Sequence, residues 1–172
     1  PLLDGGVTFL SNVGARIWGA EAELTVNPAD SLTMSANTAW LDAKYRSYPS
    51  CRSGGDCDGN TLPSAPKLSA RFFAEYRLNL AGRELSLQAN VQYRSKVYYS
   101  PLNVSYMSQS AYWLFDSQIS YQLTDNVKIA AWVRNLTNKQ HFVDSFDVSD
   151  VGYALLMPGQ PRTFGGRFSI HF

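Results

Sequence analysis

The 172-residue sequence has no apolar run approaching the ~20 residues that a membrane-spanning helix requires, so a helical membrane protein is excluded. That test does not detect membrane β-barrels, whose strands are apolar on one face only. The opening stretch, PLLDGGVTFL, also lacks the basic start and long apolar core of a signal peptide. A mature chain, a truncated chain and a cytosolic chain are each consistent with such a start.

Charge is also scarce in this sequence. Charged residues make up 17% of the chain, below the roughly 25% of typical soluble domains, whereas aromatic residues reach 13%. The 15 basic and 14 acidic residues leave a net charge of +1, which provides no general attraction to nucleic acid. We therefore expect no nucleic-acid partner.

Histidine is limited to His141 and His171, and no catalytic triad is recognisable. An esterase or phospholipase built on a membrane barrel is the enzymatic alternative. It would need a nucleophile and a base within hydrogen-bonding reach, and the sequence offers no such pair to nominate. The sequence therefore predicts a protein that is not an enzyme and uses no cofactor.

The only two cysteines, Cys51 and Cys57, lie in one Gly-rich polar segment, CRSGGDCDGN. They could form a disulfide, half of a metal site or two free thiols. A structural metal site needs about four ligands, and both histidines are distant in sequence. We predict a disulfide within an extracellular loop, which implies an oxidising compartment.

A second candidate metal site is the acidic stretch DSFDVSD, which contains Asp144, Asp147 and Asp150. Carboxylates at this spacing in a long loop could bind Ca²⁺. A solvated acidic loop is the favoured interpretation, so no metal site is predicted.

Apolar residues recur with a period of two along almost the whole chain. Between Leu68 and Leu80, every second residue is apolar, and a helical period does not fit. The alternation predicts seven strands, near residues 14–27, 31–46, 66–80, 84–98, 111–123, 127–141 and 161–172.

Short and long connections alternate strictly between these strands. Tight turns fall near residues 27–30, 81–83 and 124–126, and long loops near residues 47–65, 99–110 and 142–160. The strands are roughly twice as long as those of soluble sheets, and they have the length that crosses a bilayer when tilted.

Outer-membrane barrels combine these features with aromatic girdles on the apolar face. Girdle positions are expected for Trp40, Tyr93, Trp113 and Tyr121, which lie near strand ends. A soluble β-sandwich would explain the alternation but not the placement of every long loop at one end. The predicted fold class is therefore all-β, an antiparallel transmembrane β-barrel segment of about seven long strands.

Several stretches resemble TonB-dependent outer-membrane receptors. VRNLTNKQHF is similar to the penultimate strand of that family, and PGQPRTFGGRFSIHF is similar to its final strand. ARIWGAEAELTVNP resembles its G-x-E-x-E strand, with Gly19, Glu21 and Glu23, and LTMSANTAWLDAKY and GNTLPSAPKLSARFFAEY match the segments that follow. The resemblance covers essentially the whole chain, and the order of the motifs makes it specific.

The resemblance implies that residues 1–172 form the C-terminal third of a barrel of about 22 strands. The N-terminal plug domain and the TonB box of the family do not occur in this sequence. An odd strand number also differs from the even number of bacterial single-chain barrels. We therefore expect the remaining strands and the plug to come from the rest of the receptor.

By the same resemblance, the function is TonB-dependent uptake of a scarce nutrient, such as a ferric siderophore, cobalamin or an oligosaccharide, across the outer membrane of a Gram-negative bacterium. The expected partners are outer-membrane lipid, the rest of the receptor, the TonB complex acting through the plug, and the barrel-assembly machinery. The alternative function is a small non-transporting outer-membrane barrel or a surface-adhesion protein.

Two sets of candidate functional residues follow. The first is a cationic patch facing the lumen, which comprises Lys67, Arg71, Arg94, Lys96 and Tyr98. Such a patch would suit an anionic ligand. The alternative is that these cations pair with carboxylates of the plug and of the lumen. The final strand carries alternate apolar residues that resemble an outer-membrane assembly signal, namely Phe164, Phe168, Ile170 and Phe172. In mid-strand, the alternation places Gln88 in the lumen and Ala89 against lipid.

Overall fold

The computed structural model describes residues 2–4, 7–9, 13–48, 51, 55–148 and 153–172. The regular structure is almost entirely β, with one 3-10 turn at Ser105–Met107. The strands are β1 (Leu2–Asp4), β2 (Val7–Phe9), β3 (Gly14–Ala29), β4 (Leu32–Ser47), β5 (Leu68–Leu80), β6 (Arg83–Arg94), β7 (Val97–Tyr98), β8 (Ser108–Gln109), β9 (Tyr112–Gln122), β10 (Val127–Arg134), β11 (Phe142–Val148), β12 (Tyr153–Pro158) and β13 (Thr163–Ile170). Among the described residues, no helix is long and apolar enough to span a membrane.

Seven of these strands form one antiparallel sheet in the order β3-β4-β5-β6-β9-β10-β13. Each strand pairs with the long strand before it in the chain, so the sheet is a meander. The seven predicted strands are confirmed. Strands β3 and β13 are the two edges, and within the described residues they do not pair with each other.

The short turns all lie at one end of the sheet. Ala81 and Gly82 join β5 to β6 with φ angles of 53° and 77°. Consecutive positive φ values match the twist of paired strands in a two-residue hairpin. The Asn79 side chain stabilises this turn by accepting the N–H of Gly82 at 2.9 Å.

Strict alternation gives the sheet two different faces. Asn37, Arg71 and Gln92 lie side by side on one face, which we call the polar face. The next residues in the register, Ala36, Phe72 and Val91, lie on the opposite, apolar face. Large apolar side chains on that face are exposed, including Phe164 at 79% and Phe168 at 64%. No second layer of the described chain covers them, as would be required in a β-sandwich.

The structure differs from the prediction in two ways. Two predicted strands are shorter than expected, and two of the predicted long loops contain short strands. The strand predicted at 84–98 leaves the sheet after Arg94. The Ser95 N–H still donates to the Leu68 carbonyl at 2.9 Å, but the Leu68 N–H donates to the Ser95 hydroxyl at 3.0 Å instead of to its carbonyl, which ends the regular ladder. The strand predicted at 127–141 ends at Arg134, since Asn135 and Asn138 adopt φ near 50° and turn the chain. The connections beyond these points contain the β7–β8 and β11–β12 pairs.

The most buried side chains lie in the long connections rather than in the sheet. Val97 and Met107 are each 1% exposed, and Cys57 is fully buried. A single sheet has no interior, so most apolar burial within the described residues comes from the connections packing on one another, with Ala43 and Tyr112 as the buried apolar residues of the sheet. We call the residues 48, 51, 55–67, 95–111, 135–148 and 153–162 the loop layer.

Candidate functional site on the polar face

The polar face carries a cavity of about 600 Å³ near the loop layer. Strands β3, β4, β5, β6 and β9 contribute its walls, because the lining positions lie in three consecutive rows of the register. Acidic, amide and basic side chains all face it, including Glu21, Glu23, Asn37, Arg71, Gln92 and Arg94.

Arg71 and Arg94 are the cations of this cavity. The Arg71 guanidinium makes one long hydrogen bond, from Nη2 to Gln92 Oε1 at 3.5 Å. Among the side chains that the structure describes, no carboxylate forms an ion pair with either arginine. Guanidinium groups present several donors in a planar fork, so this wall is suited to an oxyanion ligand.

The other three predicted binding residues lie outside the cavity wall. Lys67 precedes β5, and its carbonyl accepts the N–H of Leu41 at 3.0 Å. Lys96 places its Nζ 4.5 Å from the centre of the Tyr98 ring, beside the β7–β8 ribbon. The predicted cluster is therefore divided between the sheet and the loop layer, and its role in ligand binding stays a prediction.

Charges near the short-turn end of the polar face are paired. Glu75 accepts hydrogen bonds from Ser86 Oγ and Gln88 Nε2, both at 2.8 Å, and lies 3.4 Å from Arg77 Nε. Two further ion pairs join Lys128 to Glu84 and Arg83 to Asp125. Among the described residues, the polar-face arginines without a carboxylate partner therefore lie in the half nearer the loop layer and on the β10–β13 side.

Sequence analysis missed a second cavity, of about 230 Å³, beside β10 and β13. Trp132, Arg134 and Arg167 face it. The Arg134 guanidinium carbon lies 5.4 Å from the centre of the Trp132 ring. The sequence did contain one signal for this cavity. The alternation places Trp132 on the polar face, where a large aromatic residue is unusual, whereas its neighbour Val133 lies on the apolar face.

Asp116 connects the polar face to the loop layer. Its carboxylate accepts the side-chain amides of Asn90 at 3.1 Å and Gln92 at 3.4 Å, and the backbone N–H of Asn135 at 2.9 Å. The buried Asn135 side chain in turn donates to the carbonyls of Lys139 and Gln160, each at 3.0 Å. The base of the last connection is thereby fixed to the sheet.

The first two long connections are joined mainly by Asn103. Its side chain accepts the Thr61 N–H at 2.9 Å and donates to the Thr61 carbonyl at 2.9 Å. Asn60 Nδ2 donates to the Pro101 carbonyl at 2.9 Å. These bonds bridge about forty residues of sequence, so the two connections form one packed unit.

The second and third connections meet at Phe142. The Tyr99 hydroxyl donates to the Phe142 carbonyl at 2.6 Å, and the Phe142 N–H donates to Gln109 Oε1 at 2.8 Å. Burial raises the pKa of the Tyr99 phenol, which keeps this hydroxyl protonated as a donor. His141 packs against Tyr112, with ring centres 4.8 Å apart.

A disulfide joins Cys51 to Cys57 in the first connection, with Cα atoms 5.9 Å apart, in agreement with the sequence prediction. Both sulfurs are buried within the loop layer. Among the described residues, no group of three or more potential ligands is placed to hold a metal ion. The structure describes only part of the acidic stretch DSFDVSD that was considered for Ca²⁺, because Asp150 and the side chain of Asp147 lie outside the described residues.

The residues of the predicted assembly signal are placed on the apolar face or at its end. Phe164, Phe168 and Ile170 alternate along β13 and are exposed, and Phe172 follows the strand. Their role in assembly stays a prediction.

A single antiparallel meander with an exposed apolar face, short turns at one end and packed long connections at the other defines a segment of an outer-membrane-type β-barrel. Residues 1–136 match the family described as TonB dependent receptor-like, beta-barrel, and the chain belongs to that family.

Individual relatives agree with this assignment. The chain is 28% identical over 146 residues to a probable TonB-dependent siderophore receptor, PiuA, of Acinetobacter baumannii, covering 81% of this chain and 19% of the relative. The family description and the name of this relative both designate receptors, which supports the prediction that the chain does not belong to an enzyme.

Solved structures show the same fold. The chain superposes on the ferric yersiniabactin receptor FyuA of Yersinia pestis with a TM-score of 0.80 and 20% identity, covering 92% of this chain and 24% of that one. For BauA, the ferric preacinetobactin receptor of Acinetobacter baumannii, the TM-score is 0.72 and the identity 27%, covering 95% and 23%. The chain therefore spans about a quarter or less of the length of these relatives.

Proposed function

We propose that this chain is the C-terminal part of the barrel of a TonB-dependent receptor that imports an anionic iron chelate across the outer membrane of a Gram-negative bacterium. The observation that carries the proposal is the cavity on the polar face, where Arg71 and Arg94 lack a carboxylate partner among the described residues. The relatives named as siderophore receptors support an iron chelate over cobalamin or an oligosaccharide.

The open sheet supports a larger barrel. Backbone groups at the edges of β3 and β13 would be unsatisfied in hydrocarbon, where each costs several kcal/mol. Strands from the rest of the receptor, to a total of about 22, would pair with them. This arrangement argues against the alternative of a small barrel closed by this chain alone.

The two faces then acquire distinct surroundings. The apolar face meets lipid, and the polar face lines the lumen, with the loop layer at the extracellular mouth. The plug and the TonB box would be supplied by the rest of the receptor. The barrel-assembly machinery would recognise the apolar residues of β13.

Size and charge both favour an anionic chelate in the cavity. A volume of about 600 Å³ lies within the range of pockets that bind small organic ligands. The carboxylates of Glu21 and Glu23 face Arg71 and Arg94 across it. An anionic group would therefore be repelled from β3 and directed toward β5 and β6.

The test is ligand binding and uptake by the receptor that contains this chain. Arg71→Gln and Arg94→Gln should each weaken binding of the ferric chelate by roughly tenfold or more, because each removes a charge-assisted contact. Radioiron uptake into iron-starved cells, measured with hydroxamate, catecholate and carboxylate siderophores, identifies the chelate class.

The matched control is Arg83→Gln, which removes the same charge from an exposed turn outside the cavity. It should leave binding and uptake unchanged. Lys67→Gln tests whether ligand binding depends on the cavity alone or on the wider predicted patch, because Lys67 belongs to the patch but lies outside the cavity wall. Wild-type affinity in both Arg71→Gln and Arg94→Gln would contradict the assignment of this cavity.

A further inference from the structure

The second cavity of the polar face differs from the first in position and in composition. It is lined by β5, β6, β9, β10 and β13 and has a volume of about 230 Å³. Three residues form its donor-rich side, namely Trp132, Arg134 and Arg167. The amides of Gln88, Asn90 and Gln118 face it from the neighbouring strands.

The two arginines lack a carboxylate partner among the described residues. No described carboxylate forms an ion pair with Arg134 or Arg167, whereas the cations Arg77, Arg83 and Lys128 each have one.

The one carboxylate that lines the cavity, Asp116, is already engaged by three donors. The cavity therefore holds two positive charges and one negative charge, and the negative charge of Asp116 is hydrogen-bonded to neutral donors rather than ion-paired with an arginine.

Trp132 shapes the cavity. Its indole occupies the space over Gly165, where a Cβ would come within 2.7 Å of Trp132 Cζ2. The guanidinium of Arg134 lies over that ring, an arrangement that orients the planar cation through its attraction to the indole face. The edge of the guanidinium, which carries its N–H donors, remains available to an oxyanion.

The cavity has the size of a single functional group. The cavity of about 230 Å³ is smaller than the roughly 300–1,000 Å³ of pockets for drug-sized ligands, and it opens onto the polar face, so one functional group of a ligand or of a neighbouring segment can enter it. A planar carboxylate matches the fork of a guanidinium, and both arginines line this cavity.

We propose that Trp132, Arg134 and Arg167 form a pocket that binds one carboxylate group on the lumen side of the β10–β13 pair. The inference rests on the proposed assignment of the polar face to the lumen. The carboxylate belongs to an acidic side chain from a part of the receptor outside this chain, or to a small free carboxylate. The chemistry of recognition is the same for both sources.

Carbodiimide coupling tests the pocket in the receptor that contains this chain. R134K and R167K each place a primary amine where a guanidinium stood and keep the positive charge. A carbodiimide condenses an amine with a carboxylate in contact with it, and mass spectrometry of the digested receptor identifies the two joined residues. Lys128 and Glu84, whose charged atoms are 3.9 Å apart, provide a native positive control.

Two results support the proposal, and each names a source. Coupling of the introduced amine to an Asp or Glu outside this chain identifies a receptor side chain as the occupant. Coupling only after addition of acetate or citrate, seen as a mass increase at position 134 or 167 well above that at the exposed Lys139, identifies a free carboxylate.

Two other results overturn it. Coupling to Asp116 would show that the cavity satisfies its own arginines. The absence of any product in both variants, with Lys128 joined to Glu84 in the same sample, would show that no carboxylate enters. Radioiron uptake by the same cells reports on the proposed function separately, because uptake through the Arg71–Arg94 cavity can persist when coupling at this pocket fails.

Discussion

The indole of Trp132 on β10 lies over the backbone of Gly165, its direct partner on β13. No other residue at position 165 leaves this space open, because any Cβ there would overlap the indole. This contact adds side-chain packing to the backbone pairing between β13 and β10, its only partner strand in the described sheet. Glycine at this point is therefore required by the neighbouring side chain rather than by its own backbone conformation.

Gly165→Ala should reduce the stability and assembly of the receptor. The added methyl group overpacks against the indole, at a cost of about 1–3 kcal/mol. The measurement is the yield of folded receptor in the outer membrane, assessed by heat-modifiable mobility in electrophoresis.

Gly166→Ala is the matched control for this substitution. A Cβ at Gly166 would meet only the Ala130 carbonyl at 3.6 Å, which is an ordinary contact. It should assemble as the wild type does. The double variant Trp132→Ala with Gly165→Ala should recover part of the loss, and equal defects at positions 165 and 166 would rule out the indole as the cause.

Adjacent substitutions at positions 88 and 89 should have opposite outcomes. Ala89 is exposed on the apolar face between Ala74 and Ser117, and Arg there costs about 2–4 kcal/mol at the bilayer midplane. Gln88 lies on the polar face and donates to Glu75, with which an Arg at position 88 can form an ion pair. We expect poor assembly for Ala89→Arg and near-normal assembly for Gln88→Arg.

Ala89→Leu distinguishes lipid from a packed protein core around position 89. Lipid accommodates the larger side chain, whereas a close-packed core would lose about 1–3 kcal/mol. Outer-membrane yield of folded receptor is again the measurement. Poor assembly of Ala89→Leu would refute the lipid-facing assignment.

Removal of the disulfide should loosen the first connection without affecting the sheet. Cys51 and Cys57 enclose a short ring within the loop layer, so the double Ser variant loses about 2 kcal/mol of local stabilisation. Limited proteolysis of intact cells should cleave the variant near this ring faster than the wild type, with unchanged heat-modifiability. Thiol labelling of unreduced wild-type cells at either cysteine would contradict the disulfide.

Asn103→Ala should separate the first two connections. It removes the two bonds to Thr61 and places alanine at a φ of 53°, for a combined loss of about 1–3 kcal/mol. Hydrogen exchange at the Thr61 N–H should accelerate. Asn103→Asp retains the acceptor for that N–H and should show a smaller effect, so equal exchange in the two variants would exclude this hydrogen bond as the link.

The number of strands and the face of each residue could be predicted because both depend on local periodicity. Gln88 and Ala89 point to opposite sides of any strand that contains them, whatever its partners are. The tight turns were predictable for the same reason, since the Ala81–Gly82 conformation depends on few neighbouring residues. The alternation also predicted that Arg71 and Arg94 lie on one face.

Other features could be seen only in the tertiary structure, because they depend on strand register and on contacts between residues distant in sequence. Lys67 and Lys96 continue the polar pattern in sequence, yet the chain leaves the ladder at Ser95 and takes Lys96 into the loop layer. The Asn103–Thr61 bonds join residues 42 positions apart, which no local pattern encodes. Trp132 meets Gly165 only because the β10–β13 register pairs them, and that pairing creates the pocket between Arg134 and Arg167.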